Sequence, residues 1–179
     1  MAQMAGRDGA GLDRAVRVAF WSAAVLLLVA PLVVVRVNDG MRWDSGDFTF
    51  VALLLGALGI GFEVTMRTTR SWPYRFGVGF AVATTFLIVL ANGAVGMIGD
   101  EENPYNLCFL GAIAVAVAGA VLARFRAGGM ALAMGAAAIV HAGVALGGYS
   151  ADPRGSILSL GMALVWLVSA ALFRMAGRG

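Results

Sequence analysis

Six long apolar runs, separated by short connections, constrain the fold of this chain more than any other feature. A helix rises 1.5 Å per residue, so ~20 apolar residues are needed to cross the ~30 Å hydrocarbon core of a bilayer. The runs have about that length and lack the alternating pattern of transmembrane β-strands. They cover residues 18–35, 48–66, 76–98, 107–123, 130–148 and 156–173. The pattern predicts an all-α, polytopic membrane helix bundle with about six transmembrane helices.

The composition agrees with a chain whose solvent is lipid. Hydrophobic residues make up 60% of the chain and charged residues only 13%, whereas a soluble domain is about 45–50% apolar. We expect a cytoplasmic N-terminal tail at 1–17, a transmembrane bundle at 18–173 and a cytoplasmic C-terminal tail at 174–179. Because the fourth and sixth runs are short, an arrangement with five spans or a re-entrant segment stays open.

The arginines predict the orientation in the membrane. All 13 basic residues are arginine, which indicates a GC-rich bacterial genome. With six spans, ten of them lie on one side, and cytoplasmic loops carry the excess of basic residues. Both termini are therefore predicted to be cytoplasmic in a bacterial inner membrane, and no nucleic-acid partner is predicted. The ten are Arg7, Arg14, Arg17, Arg67, Arg70, Arg75, Arg124, Arg126, Arg174 and Arg178, against Arg36, Arg42 and Arg154 on the other side.

Single copies of cysteine and histidine exclude several classes of membrane enzyme. Cys108 alone makes neither an internal disulfide nor a CxxC redox pair. His141 alone makes neither a bis-histidine haem site nor an HExxH zinc site. The sequence also lacks a recognisable Ser/His/Asp set, so we predict no cofactor and no catalytic activity.

Three polar residues within the apolar runs form a candidate intramembrane site: Glu63, Asn92 and His141. An ionisable group at membrane depth is costly to bury, so it is a functional hypothesis by default. For Glu63 the alternative is a structural ion pair with Arg67, four residues later. For Asn92 and His141, one interpretation is a structural hydrogen bond between helices, and the other is a proton relay or a polar patch that lines a cavity.

The loops on the side with few arginines are acidic. Asp44, Asp47, Asp100 and Glu101 are predicted to come together at this outer face, since the second and third helices should be antiparallel neighbours. Clustered carboxylates gather cations at a pore mouth or bind them directly. The alternative is that these residues cap helices, with the charge offset by Arg36 or Arg42. Whether a metal binds is left open.

Other polar residues mark helix starts. Asn103 and Asp152 each precede a proline, the combination typical of an N-cap followed by the first helical residue. Asp47 or Ser45 is expected to cap the second helix.

Small residues are predicted to let helices approach closely. Gly143 and Gly147 form a GxxxG pair, while Ala112, Ala116 and Ala120 form a stripe on one helix face. Such faces pack helices within one chain, or they join it to a second copy or to another membrane protein.

The stretch from Asn92 to Pro104, NGAVGMIGDEENP, carries a resemblance. Together with Trp43, Asp47-Phe48 and Tyr74-Arg75, it resembles an uncharacterised family of small multi-spanning bacterial inner-membrane proteins. The resemblance covers roughly residues 43–125. It implies the membrane architecture and no activity.

Two functions follow from these features. The acidic outer face and the intramembrane polar residues favour a small transporter or channel-like protein for an ion or small solute. The short loops and small-residue faces favour a non-catalytic accessory or assembly subunit of a larger complex. A polar cavity that joins the intramembrane residues would favour transport, whereas a close-packed bundle with an apolar groove would favour a partner.

The orientation is testable with reporter fusions in a bacterial host. A phosphatase fused after Asp100 should be active, because it is exported, and one fused after Arg126 or Gly179 should be inactive. A fluorescent protein that folds only in the cytoplasm should give the opposite pattern. Export at Arg126 would contradict the six-span orientation.

Overall fold

The computed structural model describes residues 2–37 and 44–178, with side chains for 11–34 and 44–178. This part of the chain is helical and contains no strand. Six helices are long and apolar enough to cross a membrane, so the all-α prediction is confirmed and the chain is a multi-pass integral membrane protein. The helices are α1 (Ala2–Val37), α2 (Ser45–Thr68), α3 (Trp72–Ala94), α4 (Cys108–Leu122), α5 (Ala127–Gly147) and α6 (Pro153–Ala176), with a 3-10 turn (Pro104–Leu107) before α4.

The helices begin or end a few residues away from most of the predicted apolar runs, and two of these differences are informative. The first helix, α1, includes residues 2–17 of the predicted tail, and the part of it that is long and apolar enough to cross a membrane is Gly11–Val34. The third helix ends at Ala94 and not at 98, because the chain turns at Gly96 and Gly99, which have positive φ angles of 76° and 74°. Glycine adopts such angles without steric cost.

The chain forms two compact units. Unit 1 contains α1 and α2, and unit 2 contains α3 to α6. In unit 1 the helices run antiparallel, with the Phe20 ring stacked on Phe62 at 4.1 Å between centroids. Trp21 packs over Gly59, where the indole fills the space that a side chain would need.

Unit 2 is a four-helix bundle in which α5 packs against α4 and α6, and α6 packs against α3. The predicted alanine stripe of α4 is buried, as close helix approach requires: Ala112, Ala116 and Ala120. The GxxxG pair of α5 does not form one packed face. Gly147 lies against the Tyr105 hydroxyl, whereas the position of Gly143 faces open space.

Charges separate to opposite ends of unit 2. The Tyr74 hydroxyl donates a hydrogen bond to the Phe125 carbonyl at one end, and the Tyr105 hydroxyl donates to the Val144 carbonyl at the other, both at 2.7 Å. We call the end at the Tyr74–Phe125 contact the arginine end and the end at the Tyr105–Val144 contact the loop end. The arginine end carries Arg70, Arg75, Arg124, Arg126, Arg174 and Arg178, and the loop end carries Asp100, Glu101, Glu102, Asp152 and Arg154.

The segment between α3 and α4 is held together by one buried side chain. The Asn106 carbonyl oxygen accepts hydrogen bonds from the Met97 and Ile98 amides at 3.0 and 2.8 Å, and its amide group donates to the Asp100 carbonyl at 2.7 Å. Asn103 caps the 3-10 turn by accepting from the Tyr105 amide, which confirms its predicted role. Asn106 therefore replaces the hydrogen bonds that a continued helix would have made.

We expect Asn106→Ala to lower the free energy of unfolding by about 3 kcal/mol, because two buried amide groups lose their acceptor. Thermal unfolding in detergent micelles measures the effect, with exposed Glu102→Gln as the control. Equal melting temperatures for the two variants would show that Asn106 does not hold the segment.

Candidate functional site

Glu63 lies near the end of α2 and is held by two arginines. Its Oε1 accepts from Arg67 Nε at 2.7 Å, and Arg17 Nε of α1 is 3.4 Å from its Oε2. The predicted Glu63–Arg67 pair is therefore present. Sequence spacing did not indicate Arg17, because this contact depends on how α1 and α2 are aligned. With two cationic neighbours the carboxylate is part of an ionic cluster within unit 1.

His141 lies in the interior of unit 2. The residue is fully buried, with its ring centroid 5.0 Å from that of Phe109 in α4. It is fourteen residues from the first residue of α5 and six from the last, so it lies past the middle of the helix, on the side of the loop end. The backbone of Ser159 in α6 is near the ring. Even so, neither ring nitrogen makes a hydrogen bond of good geometry to Ser159 or to any other described residue.

The buried face of α6 supplies more polar groups to the same interior. The Ser156 hydroxyl and the Trp166 indole nitrogen are buried without a hydrogen-bond partner. Ser159 is 1% exposed, and the Ser169 hydroxyl donates to the Gly77 carbonyl of α3 at 2.7 Å. We call these four residues the α6 polar face. Polar atoms buried without partners are rare and call for a physical explanation, such as bound water.

Asn92 lies two residues before the end of α3. Its amide group donates to the Ile88 carbonyl of the same helix at 2.8 Å, and its carbonyl oxygen is buried without a partner. The hydrogen bond between Asn92 and His141 that the sequence allowed is therefore not formed. Because Glu63 belongs to the other unit, a single site made of all three residues stays a prediction.

A cleft of about 390 Å³ opens between α3 and α6 near the loop end. From Asp152 to Met162 its wall follows α6 for ~15 Å at 1.5 Å per residue. Ser159 lies in this wall, and its backbone is also near His141. The cleft thus leads from the loop end to the part of α6 that adjoins the buried imidazole. Its lining residues are Ala91, Val95, Gly96, Met97, Asp152, Arg154, Gly155, Leu158, Ser159 and Met162.

Asp152 forms the charged rim of this cleft. Its carboxylate accepts hydrogen bonds from the Gly155 amide at 3.0 Å and the Gly99 amide at 3.1 Å. The bonds from Gly155, and then from Gly99, hold the pKa of Asp152 below its usual value, so the group stays ionised near neutral pH. Its predicted role as the N-cap of α6 is confirmed. The same side chain ties the loop after α3 to the start of α6.

The outer acidic residues divide between the two units. In unit 1, Asp44 accepts from the Gly46 and Asp47 amides, and Asp47 accepts from the Asp44 amide, which is a reciprocal helix cap. Asp44, which was not predicted, is therefore the N-cap of α2, and the predicted Asp47 completes the cap from three residues further on.

In unit 2, Asp100 and Glu101 are exposed. Their convergence with Asp44 and Asp47 stays a prediction, and the Arg36 side chain and Arg42, proposed to offset the charge, lie outside the described residues. Within residues 11–34 and 44–178, whose side chains the structure describes, no group of three or more His, Cys, Asp or Glu could hold a metal ion.

A second groove, of about 500 Å³, lies between α5 and α6 and is apolar throughout. Small residues such as Ala138, Ala142 and Gly161 line it, together with larger ones such as Ile139 and Leu164. His141 and Asn92 line neither groove.

Comparisons of the chain with protein-family models, with curated proteins and with solved structures found no match.

The double pairing of Glu63 makes a specific prediction about stability. Glu63→Gln removes both ion pairs and should cost about 1 kcal/mol, whereas Arg67→Ala leaves the Arg17 pair and should cost about half as much or less. The Arg67 side chain is 72% exposed, which weakens its contribution further.

Thermal unfolding of the full chain in detergent compares these variants. Arg70→Ala, which removes an exposed arginine outside the cluster, is the matched control. If Arg67→Ala proves as destabilising as Glu63→Gln, Arg17 is not an effective partner.

Proposed function

We propose that this chain is a small channel-like transporter in which unit 2 moves protons. The observation that carries the proposal is the cleft between α3 and α6, whose wall contains Ser159 next to the fully buried His141. Histidine is the side chain whose ordinary pKa allows it to gain and lose a proton near neutral pH. An ionisable group within a membrane is expensive to bury, which favours a functional role.

Water within the bundle would complete such a path. The two ring nitrogens of His141, the Ser156 hydroxyl and the Trp166 indole nitrogen are buried polar atoms without a protein partner. A water molecule typically makes about three hydrogen bonds to groups of this kind. Waters bound there would link the cleft to the imidazole, which can accept a proton at one nitrogen and release one from the other.

The same core is closed toward the arginine end. Met134, Trp166 and Phe173 are buried there within one packed cluster. Proton passage therefore requires this half of the bundle to open, which is the usual alternation of access in a transporter. The described arrangement corresponds to a state open toward the loop end.

The proposal includes the location and the orientation. We place the protein in a bacterial inner membrane with both termini in the cytoplasm, as the distribution of ten arginines against three supports. The cleft then opens to the periplasm. The proposed activity is non-catalytic.

Proton flux into proteoliposomes tests the proposal. The chain, with Cys108→Ser as the parent, is reconstituted with an internal pH indicator, and a potassium gradient with valinomycin supplies the driving force. The parent should acidify the vesicles faster than protein-free liposomes. His141→Gln should reduce the rate to the protein-free level, since glutamine keeps a polar group but cannot be protonated.

Two further variants of the same parent test the route. A small, charged thiol reagent should block flux through Met162→Cys, because this partly exposed position lines the cleft. Ser169→Cys is the matched control, since it lies on the same helix face but is hydrogen-bonded to α3. Absence of flux in the parent, or an equal block of both variants, would refute the proposal.

The apolar groove between α5 and α6 favours a second function, that of an accessory subunit. Its small lining residues would allow a helix of another membrane protein to approach closely. Mass spectrometry of proteins that co-purify in mild detergent tests this alternative. A stoichiometric membrane partner, together with absence of proton flux, would favour it over transport.

A further inference from the structure

The arginine end of unit 2 concentrates exposed positive charge at the turn between α4 and α5. Arg124 and Arg126 belong to this turn, and Arg174 and Arg178 belong to the last turn of α6 and the residues after it. All four are exposed. Gly177 lies close to Ala127 at the start of α5, so the end of α6 adjoins the turn.

No described Asp or Glu side chain of unit 2 neutralises these charges. All four Asp and Glu side chains of unit 2 lie at the loop end. Among the described residues, the ion pairs involve Arg17 and Arg67 of unit 1 and none of these four arginines. The four guanidinium groups are therefore available to an external anion.

The turn is held in one conformation. The Phe125 carbonyl accepts the hydrogen bond from the Tyr74 hydroxyl, and the Arg126 amide donates to the Ala123 carbonyl at 3.0 Å. Arg124 and Phe125 have positive φ angles of 50° and 57°, which side chains other than glycine rarely adopt. The backbone that carries the arginines is thus defined by contacts with α3 and α4.

Exposed apolar side chains adjoin the charges. Phe125 is 60% exposed and Leu122 is 84% exposed. These residues stand where membrane-spanning helices end, which is the level of lipid headgroups in a bilayer. Apolar side chains beside guanidinium groups at this depth match a phospholipid, which has an acyl region next to a phosphate.

We infer that Arg124, Arg126, Arg174 and Arg178 form a binding site for the headgroup of an anionic phospholipid, with Phe125 and Leu122 against its acyl chains. Arginine binds phosphate through two parallel hydrogen bonds, which gives this contact geometric specificity. Each arginine near an anionic membrane surface adds roughly a fivefold factor in affinity. The inference concerns the end opposite the cleft and does not depend on the proposed proton transport.

The test is a lipid titration of the full chain in dodecylmaltoside micelles. Dioleoyl phosphatidylglycerol should raise the melting temperature by about 5 °C, because a ligand that binds the folded state stabilises it. Dioleoyl phosphatidylcholine, which has the same chains and no net charge, should have little effect. Native mass spectrometry should show one or two retained molecules of the anionic lipid.

Variants then locate the site. The double substitution R124Q/R126Q should remove most of the shift, whereas R154Q, at the loop end, should keep it. R124K/R126K retains the charge and should give an intermediate shift. If the glutamine variant does not fold, the wild-type shift is repeated in 1 M NaCl, where the Debye length is about 3 Å and the shift should largely disappear.

Three outcomes would overturn the inference. The first is equal stabilisation by both lipids. The second is that R154Q loses as much of the shift as R124Q/R126Q does. If the salt experiment is used instead, the corresponding result is a shift that persists in 1 M NaCl. The third is an equal shift with inorganic phosphate alone, which would indicate a site for a soluble anion.

Discussion

A bilayer core contains no water to bind the backbone, so each peptide group there must find its partner within the protein. Helices meet this condition along their length, and the polar side chains of unit 2 follow the same rule. The Thr84 and Thr85 hydroxyls donate to carbonyls four residues earlier in α3. Where α3 ends before its predicted end, the Asn106 side chain accepts the hydrogen bonds of the Met97 and Ile98 amides. Four described side chains of unit 2 depart from this rule, and that departure makes the interior of the unit a site worth testing: Asn92, His141, Ser156 and Trp166.

Close packing in lipid depends on small residues, because helices there gain nothing from excluding water. The ring of Phe173 lies against Gly77, and Ala133 lies against Gly119. These contacts bring α3 against α6 and α4 against α5. The α6 polar face is buried as a consequence, since the helix is covered on that side. The small residues that let the helices pack closely are therefore also the reason why these polar groups are buried.

Unit 2 also separates its charge along the membrane normal. Six arginines lie at one end, and four carboxylates with one arginine lie at the other. The two ends suit different partners. The loop end opens through a cleft whose rim carries an ionised Asp152, while the arginine end presents guanidinium groups beside exposed apolar side chains. The proposed proton path and the inferred lipid site thus lie at opposite ends of this bundle of four helices.

The sequence by itself determined the features that depend on neighbours along the chain. Apolar runs of spanning length predicted six helices, and the residues before proline predicted the caps at Asn103 and Asp152. The spacing of four residues predicted the Glu63–Arg67 pair, because such residues are adjacent on any helix. At the start of α2 the sequence predicted only part of the cap, since Asp47 caps the helix together with Asp44 through a reciprocal pair of bonds.

Tertiary structure decided the features that join distant segments. Arg17 meets Glu63 only because α1 and α2 pack in one alignment. Asn106 holds the loop only because residues 97–100 turn back toward it. The cleft beside Ser159 likewise arises from the packing of α3 against α6. A long apolar run predicts that a helix spans the membrane. The rotation of that helix about its axis and the choice of its neighbours depend on how side chains from separate helices fit together.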